Sequence, residues 1–204
     1  MNHPAAGDPA VFLDRDGVII ENRAAYIRRC EDIVFIPGAL QALARLSSSP
    51  YRVVIVTNQS VVGRGLISLL LAEEINREVV AQIERAGGRI DGAFICPHAP
   101  EEHCLCRKPR PGLILQAARE LDIDLSGSIM IGDALSDLLA GQEAGVGRKA
   151  MVRTGRGEAQ SRLPFPPGLE AFRLYNDLGA VIDELVRGEE KQPVFPMKPL
   201  EERP

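Results

Sequence analysis

Four short apolar runs, each passing directly into a polar cluster, constrain this chain more than any other feature. Ala10-Val11-Phe12-Leu13 leads into Asp14-Arg15-Asp16-Gly17, and Arg52-Val53-Val54-Ile55-Val56 into Thr57-Asn58-Gln59-Ser60. Gly92-Ala93-Phe94-Ile95 leads into a Cys/His-rich loop closing on Arg107-Lys108-Pro109, and Ser128-Ile129-Met130-Ile131 into Gly132-Asp133. Runs that are apolar at every position suit strands covered on both faces, which is the habit of parallel sheets.

The stretches between these runs carry helical signals. Ala39 to Leu46 is introduced by Pro37-Gly38 and broken near Pro50, and Ser68 to Ala86 has Ser68 as N-cap and Gly87-Gly88 as stop. Pro111 to Leu121 starts on a proline, Leu135 to Ala144 and Leu178 to Val186 follow, and Lys149 to Val152 reads as a fifth strand. Strands alternating with helices predict an α/β chain, a Rossmann-like parallel sheet with helices on both faces. The expected domain spans residues 10–187, between a flexible Pro/Ala/Gly-rich segment at 1–9 and an extended tail at 188–204. Neither Gly17 to Pro37 nor Ser60 to the third strand is long enough for a large cap domain, so an open site is expected.

In open α/β sheets ligands bind beyond the carboxyl ends of the strands. Each polar cluster has an ordinary reading alone: Asp-x-Asp-Gly is a common turn, Thr57 can cap a helix, Lys108 can be a solvated lysine, and Asp137 can favour a helix start. All four following strands in order argue for one shared site. Acids from two strand ends can hold a hard divalent ion, magnesium above all, with phosphate oxygens completing its shell. A lysine and a hydroxyl add what a transferring phosphoryl group needs. There is no Gly-x4-Gly-Lys-Ser/Thr loop, which disfavours a P-loop kinase. A carboxylate can attack phosphorus, so transfer to Asp14 and then to water is the economical chemistry.

Cys96, His98, Cys104 and Cys106 form a Cys-x-His-x5-Cys-x-Cys pattern, the ligand complement of a closed structural zinc site with no position left for catalytic water. His103 is read as a solvated loop residue and Cys30 as a buried small hydrophobe. Met1 to Ala10 lacks a basic start followed by an apolar core, so a cytoplasmic, reducing setting is expected, where clustered Cys/His favours metal over disulfides. The net charge of −4 without a strongly basic block argues against charge-driven nucleic-acid binding. No apolar stretch approaches the roughly 20 residues of a membrane span. A monomer acting on a small phosphate ester is the expectation, with no nucleic-acid or membrane partner; a non-enzymatic zinc-binding interaction module is the alternative of another class.

The segments Phe12–Gly17, Val56–Ser60, Cys106–Pro109 and Gly132-Asp133-x3-Asp137 resemble the four motifs of haloacid dehalogenase-like phosphatases. The Cys/His insertion is similar to that of the histidinol-phosphate/heptose-bisphosphate phosphatase branch, and the resemblance runs from about Val11 to Gly157. It implies Asp14 as nucleophile and Asp16 as the acid that protonates the leaving oxygen and then takes a proton from water. It implies magnesium held by Asp14, Asp133 and the main-chain carbonyl of Asp16, and phosphoryl oxygens bound by Thr57 and Lys108. Asn58, Gln59, Ser60 and Arg107 are implied in substrate binding, with Asp137 orienting Lys108. The resemblance also narrows the phosphate ester to a small phosphorylated sugar. Two departures stand out: Ala134 replaces a lysine frequent after the motif-four aspartate, and Ser60-Val61-Val62-Gly63-Arg64-Gly65 differs at Val61-Val62 from the more usual Gly-Ile-Ala-Arg-Gly version.

Overall fold

A computed structural model describes residues 7–188; the first six residues and the tail from 189 lie outside the described residues, and with them most of the two expected flexible ends. Strand β1 (Asp8–Leu13) is followed by helix α1 (Ala39–Leu46), β2 (Arg52–Asn58), the short α2 (Ser60–Gly63), α3 (Leu69–Arg85) and β3 (Gly92–Cys96). Then come α4 (Gly112–Leu121), β4 (Ile123–Gly132), α5 (Leu135–Ala144), β5 (Arg148–Val152), the short α6 (Gly157–Gln160), β6 (Arg173–Tyr175) and α7 (Leu178–Arg187). The strands form one sheet in the order β3-β2-β1-β4-β5-β6, and every pairing is parallel. The α/β expectation holds.

Strand side chains alternate between the two faces, as a period of two requires. Val11, Leu13, Val53, Ile55, Ile129 and Ile131 enter a core with α1, α3 and α7, whereas Ala10, Phe12, Val54, Val56 and Met130 enter a second core with α4 and α5. On α1 the buried residues are Ala39, Ala42, Leu43 and Leu46, the i, i+3, i+4, i+7 stripe of a helix with one dry side. Truncating Leu43 to alanine removes roughly 2–5 kcal/mol on that account. Ser68 caps α3 by accepting from Leu71 N at 3.1 Å, and Asp177 caps α7 in the same way.

Several boundaries moved. β1 begins at Asp8 and β4 at Ile123, both ahead of their apolar runs, because the two strands extend each other by pairing Asp8 with Ile123 across a register shift. β6 and the two single-turn helices had no local signal strong enough to read. Cys30 is only partly buried, packed at the edge of the α3-side core rather than within it; it sits in a surface loop, which cannot cover it fully.

The chain order reverses direction between β1 and β4, the usual place for a ligand crevice. Leu13 is aligned with Ile55 on one side and Ile131 on the other, so Asp14, Thr57 and Asp133 all emerge at this point.

Candidate active site

A cleft of about 580 Å³ opens over these strand ends, lined by Asp14, Asp16, Asn58, Gln59, Arg107 and Lys108 among others. Asp14 is almost fully buried, and the carboxylates of Asp14, Asp133 and Asp137 converge within 4.8 Å of one another. Lys108 reaches them from the Cys/His loop. Its Nζ donates to Asp14 Oδ1 at 2.9 Å, to Asp137 Oδ1 at 2.8 Å and to the Val56 carbonyl at 2.8 Å. All three ammonium hydrogens have partners, so the amine is fixed in position.

Burial works against the charged form of Lys108, but Asp137 and Asp14 outweigh it and hold the amine protonated well above the ordinary lysine range. Burial pushes the Asp14 carboxyl up to about 7; Lys108 opposes the shift, and Asp137, Asp133 and Asp16 add to it. Crowded acids that one ammonium does not balance fit a divalent cation, which would restore Asp14 to its ionised, nucleophilic form. The converging side-chain oxygens come from Asp14, Asp133 and Asp137, whereas the Asp16 carboxylate is turned elsewhere. Asp16 therefore offers no side-chain oxygen to that cluster. Asp137 is committed to Lys108 and to the Ala134 amide (3.0 Å).

The expected substrate contacts are distributed unevenly. Asn58 and Lys108 exchange a reciprocal pair, Asn58 Nδ2 donating to the Lys108 carbonyl at 3.0 Å and the Lys108 amide donating to Asn58 Oδ1 at 3.1 Å. What Asn58 does first is hold the lysine backbone. Thr57 is fully buried, its hydroxyl accepting from Gln59 Nε2 at 2.7 Å, while the same amide nitrogen donates to Asp16 Oδ2 at 2.8 Å. Gln59 therefore covers Thr57. Ser60 and Arg107 line the cleft, with Arg107 Nη1 donating to the His98 carbonyl at 3.2 Å.

Under Asp16 lies Arg15, which is 1% exposed. Its guanidinium takes Asp16 in a bidentate grip at 3.0–3.2 Å and reaches Asn76 Oδ1 on α3 at 2.7 Å. The Asn76 Nδ2 has no partner and is buried, a cost of about 1–3 kcal/mol.

The turn after β5 completes the site. Thr154 Oγ1 donates to the Gly17 carbonyl at 2.7 Å, and Arg156 grips Asp133 through its backbone amide (2.9 Å) and Nη2 (2.9 Å). Asn22 Nδ2 donates to the same Asp133 at 2.7 Å. None of these residues was expected. Arg153-Thr154-Gly155-Arg156 follows a strand as the other clusters do, so the strand-end rule could have found it. Asn76 breaks the apolar stripe of Ala72, Ile75, Val79 and Ile83, which was a readable signal. Asn22 had none.

In the Cys/His loop the Cys96, Cys104 and Cys106 sulfurs lie 3.3–3.5 Å apart, and His98 Nδ1 lies 3.3 Å from Cys106 Sγ and 3.6 Å from Cys96 Sγ. A tetrahedral zinc centre with thiolates at 2.3 Å sets ligand spacings of roughly 3.5–3.8 Å, so this donor set fits one. Exposed His103 is outside the cluster. The loop is pinned on two sides: Gln59 N donates to the Cys96 carbonyl at 2.7 Å, and a Cβ on Gly112 of α4 would meet the Leu105 carbonyl at 2.4 Å.

With this geometry in place, known proteins can be compared. The HAD-hydrolase-like family matches residues 105–178. The chain is 38% identical over 180 residues to the D-glycero-beta-D-manno-heptose-1,7-bisphosphate 7-phosphatase of Bordetella bronchiseptica, covering 87% of this chain and 97% of that protein. The chain belongs to the heptose-bisphosphate phosphatase family of HAD-like hydrolases. A second member, from Pseudomonas putida and of the same name, is 37% identical over 176 residues, covering 86% of this chain and 98% of that one. The family fold is matched as well. The crystal structure of the B. bronchiseptica D,D-heptose 1,7-bisphosphate phosphatase, complexed with magnesium and phosphate, superposes with a TM-score of 0.81 at 36% identity, covering 88% of this chain and 99% of that one. As a member of this family the chain is a phosphoric monoester hydrolase. Among the described residues, no helix is long and apolar enough to cross a membrane.

Proposed function

We propose that this chain removes the C7 phosphate of D-glycero-D-manno-heptose 1,7-bisphosphate in a magnesium-dependent hydrolysis that passes through an aspartyl-phosphate. The observation that carries the reading is the buried Asp14–Lys108–Asp137 cluster at the mouth of the cleft, in a chain that spans 97% of a relative named for this reaction. Asp14, Asp133 and the Asp16 carbonyl would hold magnesium, which would supply positive charge to the phosphoryl oxygens and keep Asp14 ionised.

Asp14 attacks phosphorus; the P–O bond to C7 breaks, and the leaving oxygen takes the proton of the Asp16 carboxyl. Water then attacks phosphorus, its proton passes to Asp16, and the P–O bond to Asp14 breaks to restore the carboxylate. Ester and water become alcohol and phosphate. Lys108 and Thr57 stabilise the equatorial oxygens. Asn58, Gln59, Ser60 and Arg107 bind the substrate.

Zinc at Cys96, His98, Cys104 and Cys106 is structural in this reading. It stiffens the loop whose next two residues are Arg107 and Lys108. The enzyme acts as a cytoplasmic monomer, with residues 10–187 as its catalytic domain.

The test is phosphate release from both heptose 1,7-bisphosphate anomers, histidinol phosphate and fructose 1,6-bisphosphate, compared by kcat/KM with and without magnesium. Preference for a heptose bisphosphate, lost in Asp14→Asn with the fold intact, is the expected result. A clear preference for histidinol phosphate overturns the substrate, and undiminished turnover in Asp14→Asn overturns the mechanism.

A further inference from the structure

We propose that Arg15 and Asn76 are positioning residues for the proton-carrying Asp16, forming a buried brace that runs from helix α3 to the reacting proton. The inference rests on the assignment of Asp16 as acid and base. Arg15 stands between the two motif aspartates, yet its side chain is 1% exposed and cannot touch substrate. Three of its contacts go to Asp16, with Nε to Oδ2 at 3.2 Å and Nη2 to Oδ1 and Oδ2 at 3.1 and 3.0 Å. A guanidinium is a rigid planar fork, so this grip sets the plane of the carboxylate as well as its position.

A fork fixes its partner only if it is itself fixed. Nη1 is tied to Asn76 Oδ1 at 2.7 Å, across 61 residues of sequence. Asn76 sits in the buried stripe of a 17-residue helix, beside Ile75 and Val79. That helix is anchored in the core under the sheet. Gln59 Nε2 closes the arrangement from the cleft side at 2.8 Å.

A purely structural role explains this arrangement poorly. A buried arginine stabilises a fold less well than an apolar side chain of similar volume would. The stripe position of Asn76 would suit leucine, and its Nδ2 remains without a partner. Both departures serve one outcome: a carboxylate, 21% exposed at the cleft, whose orientation is dictated from below. Proton transfer needs that orientation, since donor and acceptor must meet within hydrogen-bond reach.

The experiment compares Arg15→Lys and Asn76→Ala with the unmodified protein on two esters. From heptose bisphosphate the sugar departs as an alkoxide and needs the Asp16 proton; from 2,4-dinitrophenyl phosphate the aryl group departs as a stable phenolate and does not. The expected result is a kcat for the sugar ester lowered roughly 10- to 100-fold with KM changed less than about threefold. The ratio of sugar-ester to aryl-ester first-turnover rates should fall at least about tenfold, because positioning matters only where a proton moves. With the aryl ester a burst of dinitrophenolate should appear as water attack, which needs Asp16 as base, becomes limiting. An equal slowing of the first turnover of both esters would mark the brace as structural support and overturn the proposal. If Asp16→Asn keeps full turnover of the sugar ester, the acid–base assignment itself fails. If Asp16→Asn is inactive while Arg15→Lys and Asn76→Ala match the unmodified protein, only the positioning inference fails.

Discussion

Asp137 holds Lys108 at 2.8 Å, with both side chains sealed from solvent and Asp137 itself anchored to the Ala134 amide at the first turn of α5. The lysine arrives from the Cys/His loop and the acid from the far side of β4. Their meeting joins two strand ends across the cleft.

Asp137→Ala leaves the buried Lys108 ammonium with Asp14 as its remaining carboxylate partner and leaves the Ala134 amide without its acceptor. The orphaned amide should cost about 1–3 kcal/mol, and Asp137→Asn, which keeps a hydrogen-bond acceptor, should cost less. Urea unfolding should rank the three proteins in that order. The kcat of Asp137→Ala should fall at least about 10-fold, because the lysine, then held only by Asp14 and the Val56 carbonyl, is less firmly placed for the phosphoryl oxygens.

Asp14 gives a pH signature. Its folded-state pKa is raised from 3.8 to about 7, chiefly by burial. Between those values the folded protein binds more protons than the unfolded chain, so this group's contribution to stability declines as pH rises through the window. In metal-free protein Asp14→Asn should therefore melt higher than the unmodified protein at pH 8, with the difference shrinking toward pH 4. Magnesium should raise the melting temperature of the unmodified protein more than that of the variant. Thermal melts in chelator and in magnesium check both statements; a gap that does not depend on pH would contradict them.

Cys106→Ser removes one of four clustered donors and should lose zinc and activity together, although Cys106 itself makes no substrate contact in the proposed mechanism. Metal content by mass spectrometry and kcat/KM should fall in parallel, by at least about tenfold in rate. Cys30→Ser, outside the cluster, should change neither. Full activity in a demonstrably zinc-free Cys106→Ser protein would uncouple the loop from the site.

Gly155 has a φ of +59°, and a Cβ there would meet Gly17 Cα and Asp133 Oδ2, each at 2.4 Å. Gly145 also has a positive φ, +85°, but open space around it. Gly145→Ala should thus cost only the backbone term of about 1–2 kcal/mol. Gly155→Ala should cost more and should also depress turnover, because the clash displaces the Asp-x-Asp-Gly loop against Asp133. Equal effects on stability and rate at the two positions would show that the contact is unimportant.

Much of this was legible from residue order alone. Asp14, Asp16, Thr57, Lys108 and Asp133 could be named because apolar runs report strands and parallel strands place their carboxyl ends together. The pairing of Asp137 with Lys108 was expected from the family resemblance, whereas residue order alone left Asp137 as an acid at a helix start. Arg156 stands in a turn directly after β5, where the strand-end rule could have reached it, whereas Asn22 meets Asp133 across 111 residues with no strand-end signal of its own. Asn58 was read as a substrate contact and lines the cleft, and the structure adds a second task, since its amide closes on the backbone of Lys108.

By itself the sequence determined the layered fold, the edge of the sheet that carries chemistry, and the four donors of the Cys/His loop. Those follow from hydrophobic periodicity and short spacings, which act within a few turns of chain. Tertiary structure alone decided which partner each polar group takes: Gln59 over Thr57, Arg156 on Asp133, and Arg15 between Asp16 and Asn76. Hydrogen bonds and ion pairs act over about 3 Å, and no local pattern encodes which distant side chain the packing of two cores will bring within that reach.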